Sequence, residues 1–171
     1  MTPQSTHIAL GLGANIGDGP AALREAAAQL ARAGVEQLTL SPLYATSPIG
    51  PQDQPDYTNA AAAGRTRLPY RDLLALCKDI EQRMGRSPGG RRWGPRPIDI
   101  DILIYGNLAV NEPDLIIPHA EMGNRLFVLA PLLDVAAHMR LPSGETVQSF
   151  AETHIHRLES SDQKIRKIIE M

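Results

Sequence analysis

An α+β sandwich with a largely antiparallel sheet is the fold class that this sequence predicts. Runs of two or three β-rich segments alternate with amphipathic helical stretches instead of following a strict strand-helix-strand order, which favours antiparallel over parallel pairing. The 171 residues, 43% hydrophobic and 21% charged, fit one domain (residues 1–171) with a sizeable core. No solenoid-type repeat competes with that reading.

Residues 7–13 read as a short buried strand that ends in glycine. Asp18 offers an N-cap just before Pro20, so a helix follows, with Leu23, Ala26, Ala27 and Leu30 at helical spacing and Gly34 to end it. Residues 35–44 are rich in β-formers but must break, or lie at an edge, at Pro42. Residues 47–56 hold three prolines and a glycine and read as an ordered loop. In residues 57–67 four successive alanines favour a helix by propensity alone. Residues 70–84 form a clearer helix, with Leu73, Leu74, Cys77, Ile80 and Met84 on one stripe and Gly85 as its stop; Cys77 is then a core thiol.

A Gly/Pro/Arg-rich loop spans residues 86–97. Residues 98–105 alternate as a strand, which Gly106-Asn107 turns back into residues 108–110. Beyond it lie a turn at Pro113-Asp114, a helical stretch over residues 124–130, a start or kink at Pro131, and a short strand pair around residues 142–145.

Seventeen Lys plus Arg against nineteen Asp plus Glu give a net charge of −2, so any anion site is local and no global field draws nucleic acid or an acidic membrane. The single cysteine cannot form an internal disulfide, and the first nine residues lack the pattern of a signal peptide. The expectation is a cytoplasmic monomer that binds neither membrane nor nucleic acid.

A strand's period of two puts Ile98, Ile100, Ile102 and Ile104 on one face and Asp99 and Asp101 on the other. Two carboxylates about 7 Å apart suit one or two hard cations such as Mg²⁺. The same pattern is also that of the polar face of any half-buried strand. Arg86, Arg91, Arg92 and Arg96 precede the pair and shift the balance, since guanidinium forks beside a metal pair make a polyphosphate site. A nucleic-acid reading, with Trp93 stacking on a base, ranks lower because the acidic pair repels a phosphate backbone. The Gly11-x-Gly13-x-x-x-Gly17 spacing misses the dinucleotide fingerprint by one, and no Walker-type Gly-Lys-Ser/Thr occurs.

Arg92-Trp-Gly-Pro-Arg-Pro-Ile-Asp-Ile-Asp-Ile-Leu103 resembles the signature of 6-hydroxymethyl-7,8-dihydropterin pyrophosphokinases. The blocks Gly11-Leu-Gly-Ala-Asn-Ile-Gly17, Gly50-Pro-Gln-Asp-Gln-Pro-Asp-Tyr-x-Asn59, Glu81 with Gly85-Arg86, Pro118-His119, and Asn124-Arg125 followed by Phe127 agree in order, over residues 7–150. The resemblance implies a ferredoxin-like αβα sandwich, in which residues 57–67 are a strand despite their alanines. It also implies pyrophosphoryl transfer from ATP to the pterin alcohol for folate biosynthesis, with AMP as product and two Mg²⁺ ions held by Asp99 and Asp101.

By the same resemblance Arg86 and Arg96 contact phosphates, and with Asp99 and Asp101 they are the catalytic set. Glu81 and His119 line the ATP site, and Arg125 sits where the two substrates meet. Tyr57 and Phe127 sandwich the pterin ring, Asn59 bonds its edge, and the backbone of Thr46, Ser47, Pro48 and Ile49 reads its donor and acceptor pattern. Trp93, in a loop poor in core residues, reads as part of a lid over the triphosphate. This chain departs from the pattern in the non-basic residues 87–90, in Lys78 where glutamine is expected, and in Ala120 after His119. The tail from about His154 lies outside the resemblance, and its His154-x-His156 pair reads as surface.

Overall fold

The computed structural model describes residues 4–47, 53–86 and 96–168. In chain order its elements are β1 (Thr6–Ala14), α1 (Gly19–Arg32), β2 (Val35–Leu40), β3 (Tyr44–Thr46), β4 (Tyr57–Thr66), α2 (Tyr70–Arg83), β5 (Asp99–Tyr105), β6 (Val110–Glu112), β7 (Leu115–Ile117), α3 (Leu126–Ala136), α4 (Val147–Leu158) and β8 (Ile165–Lys167). The main sheet runs β5-β1-β4-β3-β8 with β2 also on β4, and its pairs are antiparallel.

Pro42 breaks the second β-rich segment as expected, and the two pieces share one edge of β4: β2 pairs with residues 62–66 and β3 with residues 57–59. Counted as one interrupted strand, they give a β-α-β-β-α-β order with the strands placed fourth, first, third, second. That is the ferredoxin-like arrangement. α1 and α2 cover one face with a core that includes Leu10, Leu23, Leu30, Ile80 and Ile100, while α3 and α4 cover the other with Leu103, Leu129, Leu132 and Val147. The result is an αβα sandwich.

The alanine run of β4 is strand because it is central, paired with β1 on one side and with β2 and β3 on the other. Ala60 and Ala62 face the α1/α2 layer and Ala61 the α3/α4 layer, so small side chains let helices approach both faces. Pairing on both edges overrides intrinsic propensity. Asp18 caps α1 by accepting from the Ala21 N–H at 3.0 Å, and Gly34 follows that helix with φ +111°.

Four expectations are corrected. The strict alternation in β5 fails at its end, because the register against β1 shifts between Ala9 and Leu10: Ala9 pairs with Ile104 and Leu10 with Ile102. Leu103 is the extra residue of a bulge, so Leu103 and Ile104 both enter the α3/α4 core while Ile100 and Ile102 stay in the other. Ile104 is therefore not on the face of Ile100. Second, Gly106, at φ +54°, turns the chain after β5, but no return strand pairs with β5 there. β6 pairs instead with β7 across the Pro113-Asp114 turn. Third, α3 runs on through Pro131 to Ala136, so Pro131 starts no new helix and the helical stretch does not stop at residue 130. Finally, the strand pair near residue 142 reduces to one bridge, Arg140 to Thr146.

The tail beyond His154 completes α4 and then adds β8 to the sheet against β3. His156 is exposed, as expected, whereas His154 is half-buried and stacks on Phe150 at 4.3 Å. Cys77 is buried. Among the described residues no helix is long and apolar enough to cross a membrane.

Candidate active site

The site grows from the register of three neighbouring strands. Gly13 of β1 pairs with Asp99 of β5 on one side and with Asn59 of β4 on the other; Gly11 pairs likewise with Asp101 and Ala61. Paired residues of antiparallel strands point to the same face, so the two aspartates and Asn59 share a face across a bare glycine floor. Above that floor lies a cavity of about 350 Å³, lined by Thr46, Ser47, Tyr57, Asn59, Arg86, Arg96, Asp99, Asp101, His119, Arg125 and Phe127. These residues of the sequence-predicted set come together. Glu81 lies just beneath, 1% exposed. Pro48, Ile49 and Trp93, with Arg91 and Arg92, lie outside the described residues.

Charges at the acidic end are interlocked. Glu81 Oε2 accepts from Arg86 Nη1 at 2.5 Å and from the Ile100 N–H at 3.4 Å, and Glu81 Oε1 accepts from Lys78 Nζ at 3.3 Å. Arg86 Nη1 also reaches Asp99 Oδ1 at 2.5 Å. Burial works against the Arg86 charge, but Asp99 and then Glu81 outweigh it and raise its pKa. For Asp101, burial first and the Asp99 charge second push the carboxyl up to about 7. His119 Nε2 lies 4.0 Å from Asp101 Oδ2, and burial, then Arg125, lower the imidazole pKa. Its Nδ1 accepts from the Glu121 N–H at 3.2 Å, so the neutral ring carries its proton on Nε2, toward the cavity.

A carboxyl held above its ordinary 3.8 in the folded protein stabilises that state below about pH 4 and withdraws the stability as pH rises through about 7. Asp99, Lys78, Glu81 and Arg125 are the charges that act on it. Asp101→Asn is therefore expected to raise the unfolding midpoint of the metal-free protein at about pH 8 by about 3 °C. That corresponds to ~1 kcal/mol once the partial exposure of the carboxyl is discounted. Calorimetry at about pH 8 and about pH 4 checks it, since little change is expected at the lower pH.

At the opposite end Asn59 Nδ2 donates to Thr46 Oγ1 at 2.8 Å, which leaves Asn59 Oδ1 over Gly13. The Arg125 guanidinium lies 5.7 Å from the Phe127 ring centroid. Burial raises the Tyr57 pKa, keeping its hydroxyl protonated.

Three residues with no role in the sequence reading belong to the site. Lys78 pairs with Glu81 and lines both the main cavity and a second one of about 250 Å³, which also takes in Asp101, His119, Leu74, Leu115 and Ile116. Asn15, buried at the end of β1, exchanges bonds with the Arg96 backbone (Asn15 N to Arg96 O at 3.0 Å, Arg96 N to Asn15 Oδ1 at 2.8 Å). Its Nδ2 donates to Gln54 Oε1 at 2.9 Å and to Pro55 O at 3.1 Å. Asn15 and Gln54 are far apart in the chain and follow no periodicity; both lie in blocks that carry the family resemblance, which was the signal that could have found them.

Residues 9–137 match the family described as 7,8-dihydro-6-hydroxymethylpterin-pyrophosphokinase. The chain is 43% identical over 125 residues, 71% of its length, to the 2-amino-4-hydroxy-6-hydroxymethyldihydropteridine pyrophosphokinase of Haemophilus influenzae, covering 78% of that protein. It is 41% identical over 157 residues, 91% of its length, to the mitochondrial folate synthesis bifunctional protein of Arabidopsis thaliana, of which it spans 27%. The crystal structure of wild-type Plasmodium falciparum HPPK-DHPS with pteroate superposes with a TM-score of 0.69 at 15% identity, over 92% of this chain and 44% of that one, a likeness of fold.

Proposed function

Because the chain belongs to the 7,8-dihydro-6-hydroxymethylpterin-pyrophosphokinase family, we propose that it transfers pyrophosphate from ATP to the hydroxymethyl group of 6-hydroxymethyl-7,8-dihydropterin, giving AMP and the pterin diphosphate of folate synthesis. The observation that carries this reading is the meeting of two cavities at Asp101, Lys78 and His119. One holds the Tyr57, Asn59 and Phe127 group, matched to a flat polar ring. The other offers Leu74, Leu115 and Ile116 to a purine. The phosphates then cross the acidic junction between them.

Two carboxylates on one strand face suit Mg²⁺, which takes few protein oxygens and completes its shell with water and phosphate. Asp99 and Asp101 would hold two ions, which supply charge neutralisation for the transferred group and the leaving oxygen. Arg86, held by Glu81 beside Asp99, would offer its guanidinium to a phosphate oxygen. Arg96, its backbone fixed by Asn15, and Arg125 supply further cationic contacts to the phosphates. His119 donates its Nε2 proton to a phosphate oxygen. Asn59 Oδ1 accepts from the N–H edge of the pterin, and Tyr57 and Phe127 enclose its faces. Positioning and electrostatics dominate such a transfer.

The reading takes one domain acting as a monomer in the cytoplasm; each cavity draws its lining from several elements of that domain. The test is AMP release from ATP with Mg²⁺. AMP is expected in one-to-one ratio with consumed pterin and only when pterin is present. Release of ADP, or no release with both substrates saturating, would overturn the reading.

A further inference from the structure

We infer that Gln163 is a positioning residue for the wall that carries Arg125 and Phe127, so that a C-terminal segment outside the 9–137 family match takes part in the site; this rests on the functional reading above.

α3 begins at Leu126, with Arg125 as an N-cap whose side chain makes no capping bond. The first N–H groups of a helix have no intrahelical partner, and Leu126 is only 7% exposed, so a remote group must serve it. Gln163 does so: its Oε1 accepts from the Leu126 N–H at 2.9 Å, and its Nε2 donates to Asn124 O at 2.8 Å. These two groups belong to the peptide planes on either side of Arg125. One planar amide therefore grips both ends of that residue and holds its φ of −132° and ψ of 115°.

The clamp is itself anchored. Gln163 N donates to Ser161 Oγ at 3.2 Å, and Arg157 Nη2 donates to Gly123 O at 2.8 Å. β8 then pairs Ile165 with Thr46, and the Ile168 N–H donates to Leu43 O at 2.7 Å. The segment thus touches both the Arg125 wall and the Thr46 wall of the same cavity.

The test uses the full chain with Gln163→Ala and Gln163→Glu, the latter keeping the acceptor for Leu126 while losing the donor to Asn124. In substrate-free protein the Leu126 amide should exchange hydrogen about tenfold faster in Gln163→Ala, remain protected in Gln163→Glu, and leave Leu30 in α1 unchanged. In the same alanine variant kcat should fall about five- to twentyfold, or the pterin KM rise by a similar factor, while the unfolding midpoint falls by only about 3 to 8 °C. If the alanine variant does not fold, the glutamate variant decides by its expected intermediate loss of turnover. Unchanged exchange at Leu126, or faster exchange with wild-type kinetics, would overturn the inference. Should the wild type release no AMP, the functional reading fails separately, and pterin binding by fluorescence then judges the clamp: weaker binding in Gln163→Ala upholds it, and equal binding or none in either protein overturns it.

Discussion

Replacing Asp101 with alanine is expected to lower turnover by about three orders of magnitude or more while pterin affinity stays within a few-fold. Asp101 is the carboxylate common to both cavities. On the proposed reading its loss removes a metal ligand at the junction where charge develops. The proposed pterin contact at Asn59 lies across the glycine floor and is left intact. Asp99→Ala should be comparably damaging, for it removes the second proposed ligand and also releases Arg86 from its 2.5 Å contact. Steady-state assays over a range of Mg²⁺, paired with calorimetric pterin titrations, separate the two effects. Near-normal turnover in both variants would sink the metal assignment.

Gly13→Ala should weaken pterin binding by about one to two orders of magnitude, whereas Gly11→Ala, two residues away on the same face, should be close to neutral. A Cβ on Gly13 would lie 2.6 Å from Asn59 Oδ1, an atom that cannot simply rotate away because the same amide is tied to Thr46. The nearest atoms to a Cβ on Gly11 belong to the Leu103 side chain, at 3.5 Å, an ordinary contact. Alanine there also restricts the unfolded chain. Asn59→Ala should resemble Gly13→Ala, costing about 1 to 3 kcal/mol for an unpaired polar edge and sparing ATP. Titrations of both substrates against the three variants check the order. Equal pterin affinity in Gly11→Ala and Gly13→Ala would remove Asn59 from the pterin pocket.

The Asp-x-Asp strand, the arginines before it and the two helical stripes were legible because each is local: a period of two or 3.6 over one element. β4 was not legible that way. Its alanines favour helix, and only pairing on both edges, a nonlocal fact, makes it strand. Ile104 was misplaced because a bulge depends on the partner strand's register and leaves no mark in its own periodicity. Leu108 to Val110 looked like a return strand since Gly106-Asn107 turns the chain, yet its partner lay beyond Pro113. Asn15 and Gln163 act through contacts with distant segments, so type and spacing alone were silent about them.

The row Asp99, Gly13, Asn59 runs perpendicular to the strands. Each step across it is one interstrand hydrogen-bond spacing, about 4.8 Å, so carboxylate and amide are set about 9.5 Å apart at the backbone. On the proposed reading the sheet is a ruler: it gauges the span from the ring's recognised edge to the reacting oxygen, and an acceptor with a longer or shorter arm presents its alcohol out of line. The graduation is backbone geometry, which side-chain substitutions along the row leave unchanged. Selectivity for arm length should thus outlast changes that erase selectivity for the ring.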